Sequence, residues 1–167
     1  MSGSVGDNTA RASGVIAAAG GGKVLQVVTA TTTTATTVTG NSYATSTLTA
    51  AITPTSSSNK IAVITGLNVK AYGDGTNSQT RYALVALFRG DTSGTNLMEQ
   101  WTGGTHHSSD NIHWPNFYDN VDFAYLDSPS SGSEVTYTVG ISGNSSADIQ
   151  AQPDSKKSSI ILMEIDA

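Results

Sequence analysis

Lys60-Ile61-Ala62-Val63-Ile64-Thr65-Gly66-Leu67-Asn68-Val69-Lys70-Ala71-Tyr72, followed by Gly73-Asp74-Gly75-Thr76-Asn77, is the stretch that decides the fold. Ile61, Val63, Leu67 and Val69 fall on alternate positions, the period of an extended chain that buries one face. The glycine- and asparagine-rich run that follows is a turn signal. Gln79 to Phe88 then repeats the alternation through Tyr82, Leu84, Ala86 and Phe88, which predicts a second strand with those residues inward.

Working outward, Lys23-Val24-Leu25-Gln26-Val27-Val28 is a β-branched run placed directly after Gly20-Gly21-Gly22. Eight threonines between Thr29 and Thr39 favour extended backbone through their stiff Cβ but leave little to bury, so this part reads as an exposed strand or strand-like loop. Tyr43–Thr53, Asn96–Trp101, Val121–Leu126, Val135–Ile141 and Ile160–Ile165 are further strands, with a weaker one around Ile149. No 12-residue window carries a capped apolar helical period. Many short strands separated by turns predict an all-β, two-sheet sandwich over residues 23–167. A jelly roll suits the length, and an immunoglobulin-like sandwich is the second choice.

The bulk composition narrows function. Charged residues make up 13% of the chain and the formal net charge is −5, with lysines and arginines scattered, so no clustered cationic surface exists for nucleic acid. Lys156-Lys157 read as a solvated turn. There is no cysteine, which removes disulfides, thiolate metal sites and cysteine nucleophiles. The longest N-terminal apolar run, Val15 to Ala19, is far shorter than a membrane span of about 20 residues and lacks a signal's charged flank, so no membrane association is expected.

Residues 1–22 contain six glycines, no aromatic residue and only Val5, Val15 and Ile16 as branched aliphatics. Such a segment buries too little to offset an ordering cost of roughly 1–2 kcal/mol per residue. It is expected to be an extended attachment arm that takes its shape from a neighbouring chain, with Val5, Arg11, Val15 and Ile16 as contacts. Folding back on its own domain is the alternative.

All three histidines lie between Trp101 and Trp114: His106, His107 and His113, with Asp110 among them. These are metal-ligand types, but the spacing fits no common zinc motif, and adjacent histidines on a strand point to opposite faces. A second reading is a glycan-binding loop in which Trp101, Trp114, Phe117 or Tyr118 stack on sugars while Asp110, Asn111 and Asn116 bind hydroxyls. The preferred reading is a long loop packing its tryptophans on its own sandwich or a subunit neighbour. Neither a metal nor any other cofactor is expected.

Hydrolysis would need two carboxylates about 5–9.5 Å apart. Asp119, Asp122 and Asp127 are close in sequence, but acidic turn residues at the ends of a strand explain Asp119 and Asp127. There is no Gly-x-Ser-x-Gly elbow and no phosphate loop. No catalytic residue is assigned.

Several blocks taken together carry a resemblance. They are Gly6-Asp7-Asn8-Thr9-Ala10-Arg11-Ala12-Ser13-Gly14-Val15-Ile16, Gly22–Val28, Ile52-Thr53-Pro54-Thr55-Ser56-Ser57-Ser58-Asn59-Lys60-Ile61, Leu87–Asp91, Leu126-Asp127-Ser128-Pro129, Tyr137-Thr138-Val139 and Ile161–Ile165. In this order they resemble a bacteriophage virion-protein family found among tail-fibre, capsid-decoration and other structural proteins. The resemblance implies a non-enzymatic virion component, with a β-sandwich head that is often trimeric and an N-terminal attachment segment. Its implied partners are further copies and the major capsid or other virion proteins. It places the chain in the virion, capsid or tail, after assembly in the host cytoplasm. A capsid decoration or cement protein is the expected role, with a glycan-binding tail or fibre component as the alternative.

Overall fold

The computed structural model describes residues 22–72, 80–105, 117–143 and 148–167. They form ten strands: β1 (Val24–Thr32), β2 (Thr36–Thr39), β3 (Ala44–Ile52), β4 (Lys60–Tyr72), β5 (Thr80–Arg89), β6 (Thr95–Thr105), β7 (Phe117–Asp127), β8 (Val135–Gly143), β9 (Asp148–Ala151) and β10 (Ser158–Ile165). All pairings are antiparallel.

Four of the strands are halves of two longer ones. β4 pairs with β7 along one edge, and its other edge meets first β10 and then β9. β1 continues the sheet beyond β10, and β2 continues it beyond β9. Joined across their breaks, β1 with β2 and β9 with β10, the first sheet runs β7, β4, β9/β10, β1/β2. The second sheet runs β3, β8, β5, β6. The chain changes sheet at nearly every connection, and the β5–β6 hairpin is the exception. This double Greek-key order of eight long strands is a jelly roll. The threonine-rich stretch splits accordingly into strand, a break at residues 33–35, and strand again.

The two breaks lie side by side and one buried side chain fills them. Gln152 adopts left-handed backbone (φ 49°, ψ 49°) before a turn of 3-10 helix, Pro153–Ser155. With its nitrogen toward the carbonyls, its amide donates to Thr34 O (3.0 Å) and Ser46 O (2.8 Å) and accepts from the Ser158 hydroxyl (3.2 Å). Its backbone N–H donates to Asn68 O at 2.9 Å. Lys156 and Lys157, in the same interruption, are exposed.

The core lies between the sheets. Ile61, Val63, Leu67 and Val69 of β4 are buried as their spacing predicts, against Phe123, Tyr137, Val139 and Ile141. In β5 the predicted phase is reversed. Ala83, Val85 and Leu87 face the core, while Tyr82 and Leu84 lie half-buried on the outer face and Ala86 and Phe88 are covered there. Both sets of alternate positions are apolar, so alternation alone does not choose between them. The register with β8 does, because it aligns Val85 with Ile141 and Leu87 with Val139.

Two carboxylates are buried among hydrogen-bond partners. Glu164 in β10 accepts from Gln26 Nε2 (2.7 Å), Asn59 Nδ2 (2.7 Å), the Thr55 N–H (2.6 Å) and the Thr55 hydroxyl (2.8 Å). Asp127, expected to be a turn residue, is 4% exposed. It accepts from the Tyr137 hydroxyl at 2.7 Å and pairs with Arg89 Nη1 at 3.2 Å. Burial, and then this bond to Asp127, push the Tyr137 phenol well above its ordinary pKa.

Burial alone would raise the Glu164 carboxyl. The bonds from Asn59, Gln26 and Thr55 outweigh it and hold the pKa down to about 2, against an ordinary 4.5. A lowered folded-state pKa contributes stability that is complete above the unfolded value and fades as pH falls toward the folded one. Glu164→Gln should therefore lower the melting temperature at pH 7. The gap between the two proteins should narrow steadily from about pH 5 to pH 2. Thermal melts across that range check this, and a gap independent of pH would show that the charge contributes nothing.

Candidate interaction surfaces

Trp101, which the sequence places at the end of a strand and the start of a loop, lies inside β6. β6 continues past it to Thr105, with Leu84 opposite Trp101 and Tyr82 opposite Gly103. Gly103-Gly104 hid this continuation, because glycine is a poor strand former. The Trp101 ring is 62% exposed and stacks on Tyr82 with centroids 4.5 Å apart and planes 20° apart. Phe117 and Tyr118, at the start of β7, are also exposed. The Lys70 ammonium lies 5.4 Å from the Tyr118 ring centroid. His106, His107, Asp110, Asn111, His113, Trp114 and Asn116 lie outside the described residues, as do Val5, Arg11, Val15 and Ile16.

The carboxylates weighed for hydrolysis do not converge. Alternation along β7 puts Asp119 and Asp127 on one face and Asp122 on the other. Asp119 and Asp127 are eight residues apart, about 27 Å along the strand, well beyond glycosidase spacing. Each has a structural partner: Asp119 accepts from the Thr102 hydroxyl across the sandwich edge, Asp122 from Asn120, and Asp127 from Tyr137. Among the described residues no group of three or more His, Asp or Glu side chains is placed to hold a metal ion.

The solvent side of the first sheet carries a feature that the strand patterns alone did not single out. Register aligns Val27, Met163, Ala62 and Leu126 in one row across four strands. The next row is Thr29, Ile161, Ile64 and Ala124, and beside the first row Val24 pairs with Ile165. Exposure is 47% at Val24, 55% at Val27, 42% at Ile64 and 52% at Leu126. The aliphatic block ends at Gly66 and Asp122, beyond which Asn68 pairs with Asn120. A sheet face turned to water ordinarily alternates to polar residues. Here both faces are apolar over half the sheet, visible in sequence as Ala62 and Ile64 alternating with Ile61 and Val63, and as Ile161, Met163 and Ile165 alternating with Ile160 and Leu162. A groove of about 540 Å³ opens on this face, lined by Gly22, Lys60, Ala62, Ile64, Leu126 and Ile165 among others.

No protein-family model matches the chain. No curated protein sequence matches it either. Among solved structures, it is similar to the subviral particle of infectious bursal disease virus VP2, with a TM-score of 0.36 and 9% identity over 86% of this chain and 39% of that one. The Gt strain structure of the same virus gives 0.35 and 9% over 86% and 39%, and the Gx strain structure 0.36 and 10% over 85% and 37%. The chain spans about two fifths of the length of those proteins.

A ring as exposed as Trp101 contributes little to folding. Trp101→Ala should cost no more than about 1 kcal/mol, the scale of one aromatic pair, in denaturant unfolding. A loss of about 3–5 kcal/mol would instead mark a core anchor.

Proposed function

We propose that this chain is a non-enzymatic structural protein of a bacteriophage particle, most specifically a capsid decoration or cement protein. The observation that carries the assembly reading is the aliphatic outer face of the first sheet. A contiguous apolar surface of this kind is what interaction sites present. By contrast, Glu164, Asp127 and Gln152, among the buried polar side chains described, are engaged in holding strands together. The jelly-roll order and the sequence blocks that resemble phage virion proteins supply the particle context.

In this reading the sandwich heads associate, as trimers, and residues 1–22 reach a neighbouring capsid or other virion protein. Val5 and Arg11 are its proposed contacts there. Backbone pairing along a neighbour's sheet edge is one mode open to such an arm. Three arms per trimer would add avidity without any single strong contact.

One observation favours a second reading, a tail or fibre component that binds host-surface glycan. The stacked, solvent-facing pair Trp101 and Tyr82 is a ready platform for a sugar ring.

One experiment with two variants separates these readings. Particles lacking the protein are mixed with the full chain, with a chain lacking Met1–Ser13, or with Trp101→Ala, and then sedimented. The cement reading expects the truncated chain to stay folded but lose particle binding by at least tenfold, with Trp101→Ala bound normally. Normal binding of the truncated chain would refute attachment through the arm. Loss of host-cell adsorption by particles that retain Trp101→Ala would favour the second reading.

A further inference from the structure

We propose that residues Val15–Ala19 lie across the aliphatic face of the first sheet of the same chain, with Ile16 over the groove between Ile64, Leu126 and Ile165. The inference concerns the isolated protein, before any particle contact claims the same face, and holds or fails whatever particle the chain serves.

The starting observation is where the described chain begins. Gly22 lines the groove itself. A Cβ at this glycine would stand 2.2 Å from Asp166 O and 2.4 Å from Ile165 Cγ2. The root of the arm is therefore pressed against a side chain of the outer face, closer than any other residue could come. Lys23 O holds it there by accepting from the Asp166 N–H at 2.9 Å. The arm thus leaves the fold on the aliphatic side.

Size selects the occupant. The face is four strands wide, about 19 Å, and about as long, so it offers roughly 300–400 Å². A stable protein–protein interface takes about 800 Å² from each partner, so by itself this face does not hold a free second molecule, and on a particle it would only add to the contacts of residues 1–13. An extended five-residue segment is about 17 Å long and matches the sheet's width. Val15-Ile16-Ala17-Ala18-Ala19 is the uncharged apolar run of the arm, and Gly20-Gly21-Gly22 joins it to the fold. From Gly22 to Ile16 the chain can span about 20 Å, whereas Leu126 is two strands beyond Ile165, about 10 Å. Glycine in the linker permits the reversal that the path requires. A tether this short gives an effective concentration in the millimolar range, so the chain's own segment outcompetes that of a second molecule in dilute solution. Residues 1–13 remain beyond the covered face, free for the attachment role proposed above.

The absence of cysteine makes the test direct, because introduced thiols have no competitors. Full-length chains carrying Ile16→Cys with Leu126→Cys, or Ala18→Cys with Ile64→Cys as an independent pair, are oxidised at low protein concentration. The expected result is an intramolecular disulfide in a monomer of unchanged melting cooperativity. It should form at least tenfold faster than in a Val5→Cys, Leu126→Cys control, since a bond requires Cα atoms within about 7 Å. Closure of both pairs no faster than the control would overturn the proposal. Cross-linked dimers in place of closed monomers would overturn it too, by assigning the face to a second copy's arm.

Discussion

The Glu164 carboxylate fixes how the two ends of the fold meet. It sits on the last strand and takes hydrogen bonds from Gln26 on the first strand and from Thr55 and Asn59 in the β3–β4 connection. A buried carboxylate left without partners is costly, so the arrangement is accepted only as a set. A slip of β10 by one residue would withdraw Glu164 from those donors. It would also turn Ile160 and Leu162 out of the core, because side chains alternate faces along a strand. Charge and packing therefore specify the same register. Asp127 performs the corresponding task between the sheets, linking β7 of the first sheet to Arg89 of β5 and Tyr137 of β8 in the second.

Those ties explain what was and was not legible in the sequence. Strand positions were readable wherever one set of alternate residues is apolar, and β4 occupies the predicted Lys60–Tyr72. β5 was placed correctly but with its faces exchanged, since both of its faces are apolar and partner register alone separates them. Gly103-Gly104 concealed the second half of β6. The polar ties were less visible still, because each joins residues distant in sequence: Arg89 meets Asp127, and Asn59 meets Glu164. They fall nonetheless within the blocks that carry the family resemblance. Gln26, Thr55, Asn59, Arg89, Asp127, Tyr137 and Glu164 all lie in them. What those blocks share is a way of holding strands together.

The division of labour in the molecule follows from this. Among the described residues, the buried polar side chains Glu164, Asp127 and Gln152 are engaged in hydrogen bonds inside the sandwich, whereas an aliphatic surface lies on the outer side of the first sheet. The same sheet anchors the root of the N-terminal arm. In the proposed cement role, the aliphatic face and the root of the N-terminal segment would lie on the same side of the head. The aromatic pair Trp101 and Tyr82 belongs to the other sheet, so a sugar-binding role would use a separate face.

The most direct measurement of the central claim is a density map of the assembled particle resolved well enough to trace the arm. The account predicts the jelly-roll head on the particle surface and residues 1–13 running onto a neighbouring protein. A map in which the whole of residues 1–21 packs against its own head and touches no other chain would contradict it.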